Sequence, residues 1–215
     1  MPGAVGKNTM RNRKPTNRGG SMVEFTMLIP IWLPLLVGTL WIGSSMVRGQ
    51  QVQQMARDLA SMYSRGADFS ASGDSGANET LTLITQQLGT LTSTGTGVVI
   101  FSTITYPGTA LCPTGCTNQA FFVFRQRYTQ GNTGLWTSNF GTPTGTFDAN
   151  GTGINLTDFM TNANDRTTFN LISAPLETGT DGYQAGQPIY VVEVFFQARG
   201  LAGYTKGGDY AYAVF

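Results

Sequence analysis

From Phe25 through Val47 the chain carries no charged side chain. The run reads FTMLIPIWLPLLVGTLWIGSSMV. At about 1.5 Å per helical residue it is long enough to cross the hydrocarbon core of a bilayer. Lys7, Arg11, Arg13, Lys14 and Arg18 precede it, with no acidic residue among them. Cations on one flank predict a cytoplasmic N-terminus and residues 48–215 on the far side of the membrane. Glu24 breaks the pattern, because it places a carboxylate at the mouth of the apolar run. An acid in mid-membrane costs about 2.5–3.5 kcal/mol on insertion scales, and less near the interface. A residue retained at that cost points to a role.

Three readings fit this segment. In a plain signal anchor, Glu24 snorkels to the headgroups. In a cleaved secretory signal, the small residues Gly43, Ser44 and Ser45 lie near the cut, although the apolar run is long for a signal-peptide core. In a prepilin-type leader, the cut falls after Gly19. Gly20 then becomes the new N-terminus, Glu24 the fifth mature residue, and all the leading cations leave with the leader.

The residues Gly19-Gly20-Ser21-Met22-Val23-Glu24-Phe25 are followed by Leu28, Pro30, Gly38 and Gly43. Beyond these comes the tail Val52-Gln53-Gln54-Met55-Ala56-Arg57-Asp58. This sequence resembles the TadE/TadG-like pseudopilin family of tight-adherence, Flp-type pilus systems, over roughly residues 18–64. Thr26 and the second proline, Pro34, depart from the family pattern. The resemblance implies processing by a prepilin peptidase at Gly19 and Gly20, and an assembly role for Glu24 and Phe25. It implies partners among other pilins or pseudopilins and the inner-membrane pilus assembly machinery. It also implies an inner-membrane, single-pass location with a periplasmic C-terminal domain that can enter a surface pilus.

Composition narrows the remaining classes. Five of the 13 basic residues lie in the leader, which leaves eight against eleven acidic residues from Arg48 onward. A mildly acidic exported part carries no nucleic-acid footprint. The absence of histidine excludes His-based triads, His general bases and His metal ligands. Cys112 and Cys116 frame Cys-Pro-Thr-Gly-Cys, one residue too many for a thioredoxin-type motif and too few ligands for structural zinc. In an exported domain the pair predicts a small disulfide loop, closed by the turn residues Pro113 and Gly115. Asp148, Asn150 and Asp158 have no EF-hand spacing and read as turn residues. We therefore expect no metal and no cofactor.

The expected organisation is a leader over 1–19, a membrane helix over 20–47, an amphipathic extension over 48–65 and an α+β domain over 66–215. Pro30 and Pro34 share a face of the membrane helix and should bend it. Val52, Met55, Leu59 and Met62, with Ala56, Ala60 and Tyr63, form an apolar stripe at helical spacing. That stripe is expected to pack on the domain rather than on sister subunits. Gly66 should end the helix. A short helix is expected from Asn78 as N-cap, and another over 156–163.

Strands are expected at 98–106, 120–128, 189–198 and 209–215. The first two should form a hairpin with the disulfide loop at its tip, and the last two a second hairpin in the same antiparallel sheet. One face of that sheet is to be covered by the helix. Arg125 and Arg127 are read as solvated, Glu193 as facing solvent or an edge, and Trp136, Phe140 and Phe147 as anchors. In function the chain reads as a structural pseudopilin subunit. The alternative is an uncleaved signal-anchored envelope protein that binds a ligand or partner through its periplasmic domain. An enzyme is disfavoured, since no nucleophile–base pairing is visible.

Overall fold

The computed structural model describes residues 20–70, 75–112, 116–144, 159–168, 185–198 and 207–215. The chain divides into two compact units, Met1–Ser45 and Met46–Phe215. The described part of the first is helix: α1 spans Gly20–Ser64 and runs through both Pro30 and Pro34. Its apolar side chains are exposed, from Met22 at 78% to Val47 at 55%. This is the α+β arrangement the pattern predicts, a long apolar N-terminal helix with a small antiparallel sheet.

In the second unit, α1 continues over residues 46–64 and its stripe turns inward. Val52, Ala56, Leu59 and Ala60 are fully buried, and Met55 and Tyr63 nearly so. They pack on Val99, Phe101, Tyr128, Val192, Val194 and Phe196 of the sheet. The helix ends at Ser64 in a Schellman turn. Gly66, at φ +92°, donates to the Tyr63 carbonyl, and Ala67 donates to that of Met62. A side chain at Gly66 would strain this left-handed position, which is why glycine stands there.

Then follow α2 (Ser75–Thr85), β1 (Gly97–Thr105), the single turn α3 (Gly108–Leu111), β2 (Val123–Gly131), a 3-10 turn (Ala163–Asp165), β3 (Pro188–Gln197) and β4 (Gly208–Val214). The sheet order is β2-β1-β3-β4, and every pairing is antiparallel. Both expected hairpins form, joined through β1 and β3. Every residue of β1 is buried, as a strand does when covered on both faces.

The second cover is a finding. The sheet face away from α1 holds Val98, Ile100 and Phe195, packed with Leu135, Trp136 and Tyr210. Trp136 lies over Phe195 and Tyr210 at centroid distances of 4.8 and 4.9 Å. The anchoring roles read for Trp136 and Phe140 hold; Phe147 lies outside the described residues.

Four local expectations need correction. β2 begins at Val123 rather than at Ala120, because residues 117–121 form a turn and Phe121 stays outside the sheet under Arg166. Asn78 is inside α2 rather than its cap, and its amide donates to the Ser70 carbonyl. Of the helix expected over 156–163, residues 156–158 lie outside the description. Residues 159–161 form a turn, and Ala163 opens the 3-10 turn capped by the Asn162 side chain. The fourth correction, at Arg127 and Glu193, concerns the interior polar cluster described next.

Candidate functional site

Two places carry the residues singled out in the sequence, and a third was missed. The first is the start of α1. Gly20 is the first helical residue, and Gly19 lies outside the described residues. Gly20 and Glu24 are four apart on one helix and so share a face. Phe25 is 68% exposed.

The other hydroxyl groups of the apolar segment are satisfied within the helix. Thr26, Thr39, Ser44 and Ser45 donate to the carbonyls of Met22, Leu36, Trp41 and Ile42 at 2.6 to 2.9 Å. Back-bonding of this kind lets a hydroxyl sit in hydrocarbon at little cost. Glu24 differs. It is exposed and makes no hydrogen bond or ion pair with any described residue. The one charge at the mouth of the apolar run therefore has no partner among the described residues.

The second place is the β1–β2 connection. Cys112 caps α3, is buried, and is disulfide-bonded to Cys116, with Cα atoms 5.6 Å apart. The disulfide loop sits between the hairpin strands, as its spacing predicts. Sequence reasoning missed the clamp beside it. Asn118 is fully buried and donates to the carbonyls of Phe159 and Asn162. Its own side-chain oxygen accepts from Arg166 Nε at 2.8 Å. The clamp ties the disulfide loop to a segment over forty residues later.

The third place is inside the sheet domain, on the face away from α1. Glu193 was expected to face solvent or an edge; it is 1% exposed, on the central strand β3. Its carboxylate accepts from Ser138 Oγ, from Asn139 N–H at 3.0 Å and from Tyr210 O–H at 2.9 Å. Arg127, expected in solvent, lies 3.8 Å from it, nearly buried, and donates to the Gly141 carbonyl. Burial lowers the Arg127 pKa, and Glu193 raises it in return. Burial, followed by the neighbouring carboxylate, pushes Tyr210 above the ordinary tyrosine range. A buried carboxylate is tolerable where donors and a cation surround it. The signal was available: Glu193 alternates with Val191 and Phe195, so it shares their buried face. No described group of His, Cys, Asp and Glu is arranged to hold a metal.

Residues 19–61 match the family model described as TadE-like protein. The N-terminal segment is thus similar to TadE-like proteins. The match opens on Gly19, covers the apolar run and Glu24, and ends in the buried stripe of α1. The sheet domain lies outside it. No curated protein and no solved structure matches the chain. The TadE-like domain supports a role associated with the Tad pilus, and one apolar N-terminal helix fits a single-pass membrane anchor.

Proposed function

We propose that the chain is a minor pseudopilin of the tight-adherence pilus, a structural subunit rather than an enzyme. It is inserted with residues 1–19 in the cytoplasm and residues 48–215 in the periplasm. A prepilin peptidase cuts between Gly19 and Gly20. The cut creates a free amine four residues before Glu24. In the assembling pilus, Glu24 pairs with the Gly20 amine of an adjacent subunit, with Phe25 beside it in the contact. Such a desolvated pair specifies register even where its net stability is small.

One observation carries this reading: the TadE-like match begins at Gly19, and Glu24 at the mouth of its apolar run has no partner among the described residues. The alternative, an uncleaved signal-anchored envelope protein, has no use for Glu24. Two variants separate them. Gly19→Leu should block processing by crowding the peptidase site. Glu24→Ala should leave insertion intact or improved, yet abolish surface pili. If both variants assemble pili as the parent does, the pseudopilin reading fails.

A further inference from the structure

A cavity of about 420 Å³ lies between β2 and the segment that follows it. Small-ligand sites commonly occupy roughly 300–1,000 Å³. Arg127 and Thr129 line it from the strand, and Thr133, Trp136, Thr137 and Thr142 from the turns beyond. Ile100, on the sheet face away from α1, also borders it.

The polar groups of this cavity are left open where those elsewhere in the domain are not. Thr80, Thr82, Thr85 and Thr105 donate to main-chain carbonyls, as do Thr167 and Thr168. Thr129, Thr133, Thr137 and Thr142 are exposed, and none of their hydroxyls bonds a described residue. Trp136 Nε1 is buried, with no hydrogen-bond partner among the described residues. A buried donor without an acceptor is costly unless something supplies one.

The indole lies flat along the sheet. Its stacking partners Phe195 and Tyr210, at interplanar angles of 14° and 28°, stand opposite one another on β3 and β4. Both therefore cover the same side of the ring, and the other side turns away from the sheet. Among the described residues Arg127 alone brings a charge to the lining, and that charge is already engaged. Glu193 lies 3.8 Å from it, and the Gly141 carbonyl accepts from it.

We propose that this cavity is a binding site for a neutral saccharide. An apolar ligand would strand the indole N–H and take the threonine hydroxyls out of water without partners. A cation finds no carboxylate in the lining. An anion gains little from a guanidinium whose charge Glu193 answers. A neutral ring bearing several hydroxyls fits the whole set. Each of its hydroxyls both donates and accepts, as a threonine hydroxyl does, and its oxygens accept from the indole N–H. Its C–H face carries the slight positive charge that the negative face of an aromatic ring attracts. The site belongs wholly to the sheet domain, so it depends neither on cleavage at Gly19 nor on Glu24.

The test uses the full chain in micelles of dodecylphosphocholine, a detergent without sugar. The probes are the methyl glycosides of glucose, galactose, mannose and N-acetylglucosamine, followed by saturation-transfer NMR. At least one should bind saturably, with transfer to its ring C–H groups. Sorbitol, which carries hydroxyls without a ring, and glucuronate, which adds a carboxylate, should bind more weakly by about fivefold or more. Thr133→Val combined with Thr137→Val replaces two exposed hydroxyls by methyls. It should weaken the best probe by about tenfold with the unfolding midpoint unchanged. Trp136→Phe keeps a ring on the stack but removes the N–H, and should weaken the probe severalfold; should it also unfold the domain, the valine variant decides. Saturation by none of the glycosides would overturn the site, as would undiminished binding by the valine variant or by a folded Trp136→Phe. So would equal binding of sorbitol, or tighter binding of glucuronate, which would assign the cavity to anions through Arg127.

Discussion

Glu24 and Glu193 each interrupt an apolar stretch, and the protein treats them in opposite ways. Glu193 is removed from water and surrounded: a hydroxyl, a main-chain N–H, a phenol and a guanidinium all address its carboxylate. Glu24 stands on an exposed apolar helix where the hydroxyls of Thr26, Thr39, Ser44 and Ser45 are satisfied by the helix itself, and nothing described addresses it. Within one chain, then, a carboxylate in apolar surroundings is either satisfied in place or left open. The satisfied one belongs to folding. We read the open one as waiting for a cation that the chain acquires only on cleavage and assembly.

The sharpest way to break that contrast is to remove the satisfied carboxylate. Glu193→Ala leaves Arg127 buried without its counter-ion and strips acceptors from Tyr210 and Ser138. Loss of one partner from a buried pair costs about 3–5 kcal/mol, so the urea midpoint of the solubilised chain should fall steeply. A loss below about 1 kcal/mol would mean that the cluster is not a structural unit. Leu59→Ala, in the fully buried stripe of α1, should cost about 2–5 kcal/mol by cavity formation. An apolar substitution of similar size in the exposed half, Leu36→Ala, should leave the fold of the sheet domain unchanged.

Alkaline titration probes the tyrosines that serve the interior. Burial, partly offset by the bond to Thr103, pushes Tyr63 from 10.0 up to about 12. Tyr128 and Tyr210 are raised as well, again chiefly by burial. The folded state therefore keeps protons that the unfolded state releases. That stability is fully present below pH 10 and should be lost as pH climbs from 10 toward 12. Unfolding free energies measured from pH 8 upward should decline beyond pH 10; a flat profile would contradict the burial. Cys112→Ser should cost about 2 kcal/mol or less, because the closed loop is small and the Asn118–Arg166 clamp persists. Faster proteolysis within the β1–β2 connection is the expected signature. Smallest of all, Glu24→Ala should move the unfolding midpoint by less than about 0.5 kcal/mol while removing pili.

Much of the architecture was legible because its signals are periodic. An uncharged run marks α1, spacings of three and four mark its stripe, and β-branched runs mark β1 and β3. What stayed hidden depended on contacts far apart in sequence. Arg127 looks like a solvent-facing charge until the cover built by residues 135–143 is placed over it, and that cover lies in a Gly/Thr-rich stretch with no period to read. The start of β2 was misplaced because Ala120, Phe121 and Phe122 have strand-like composition, whereas Phe121 is claimed by Arg166 at 3.7 Å. Asn118 gave no signal, since a buried asparagine clamp has the composition of an ordinary turn. At the candidate site, Glu24 was legible from sequence because a lone charge in an apolar run needs no tertiary context to stand out.

The most direct test of the reading of Glu24 is the mass of the mature N-terminus, taken from the membrane fraction of cells with an active prepilin peptidase. A mature chain beginning at Gly20 is the expected result. It places a free amine four residues from the unpartnered carboxylate. A mature chain that retains Met1, Pro2 or any residue ahead of Gly20 would contradict the account.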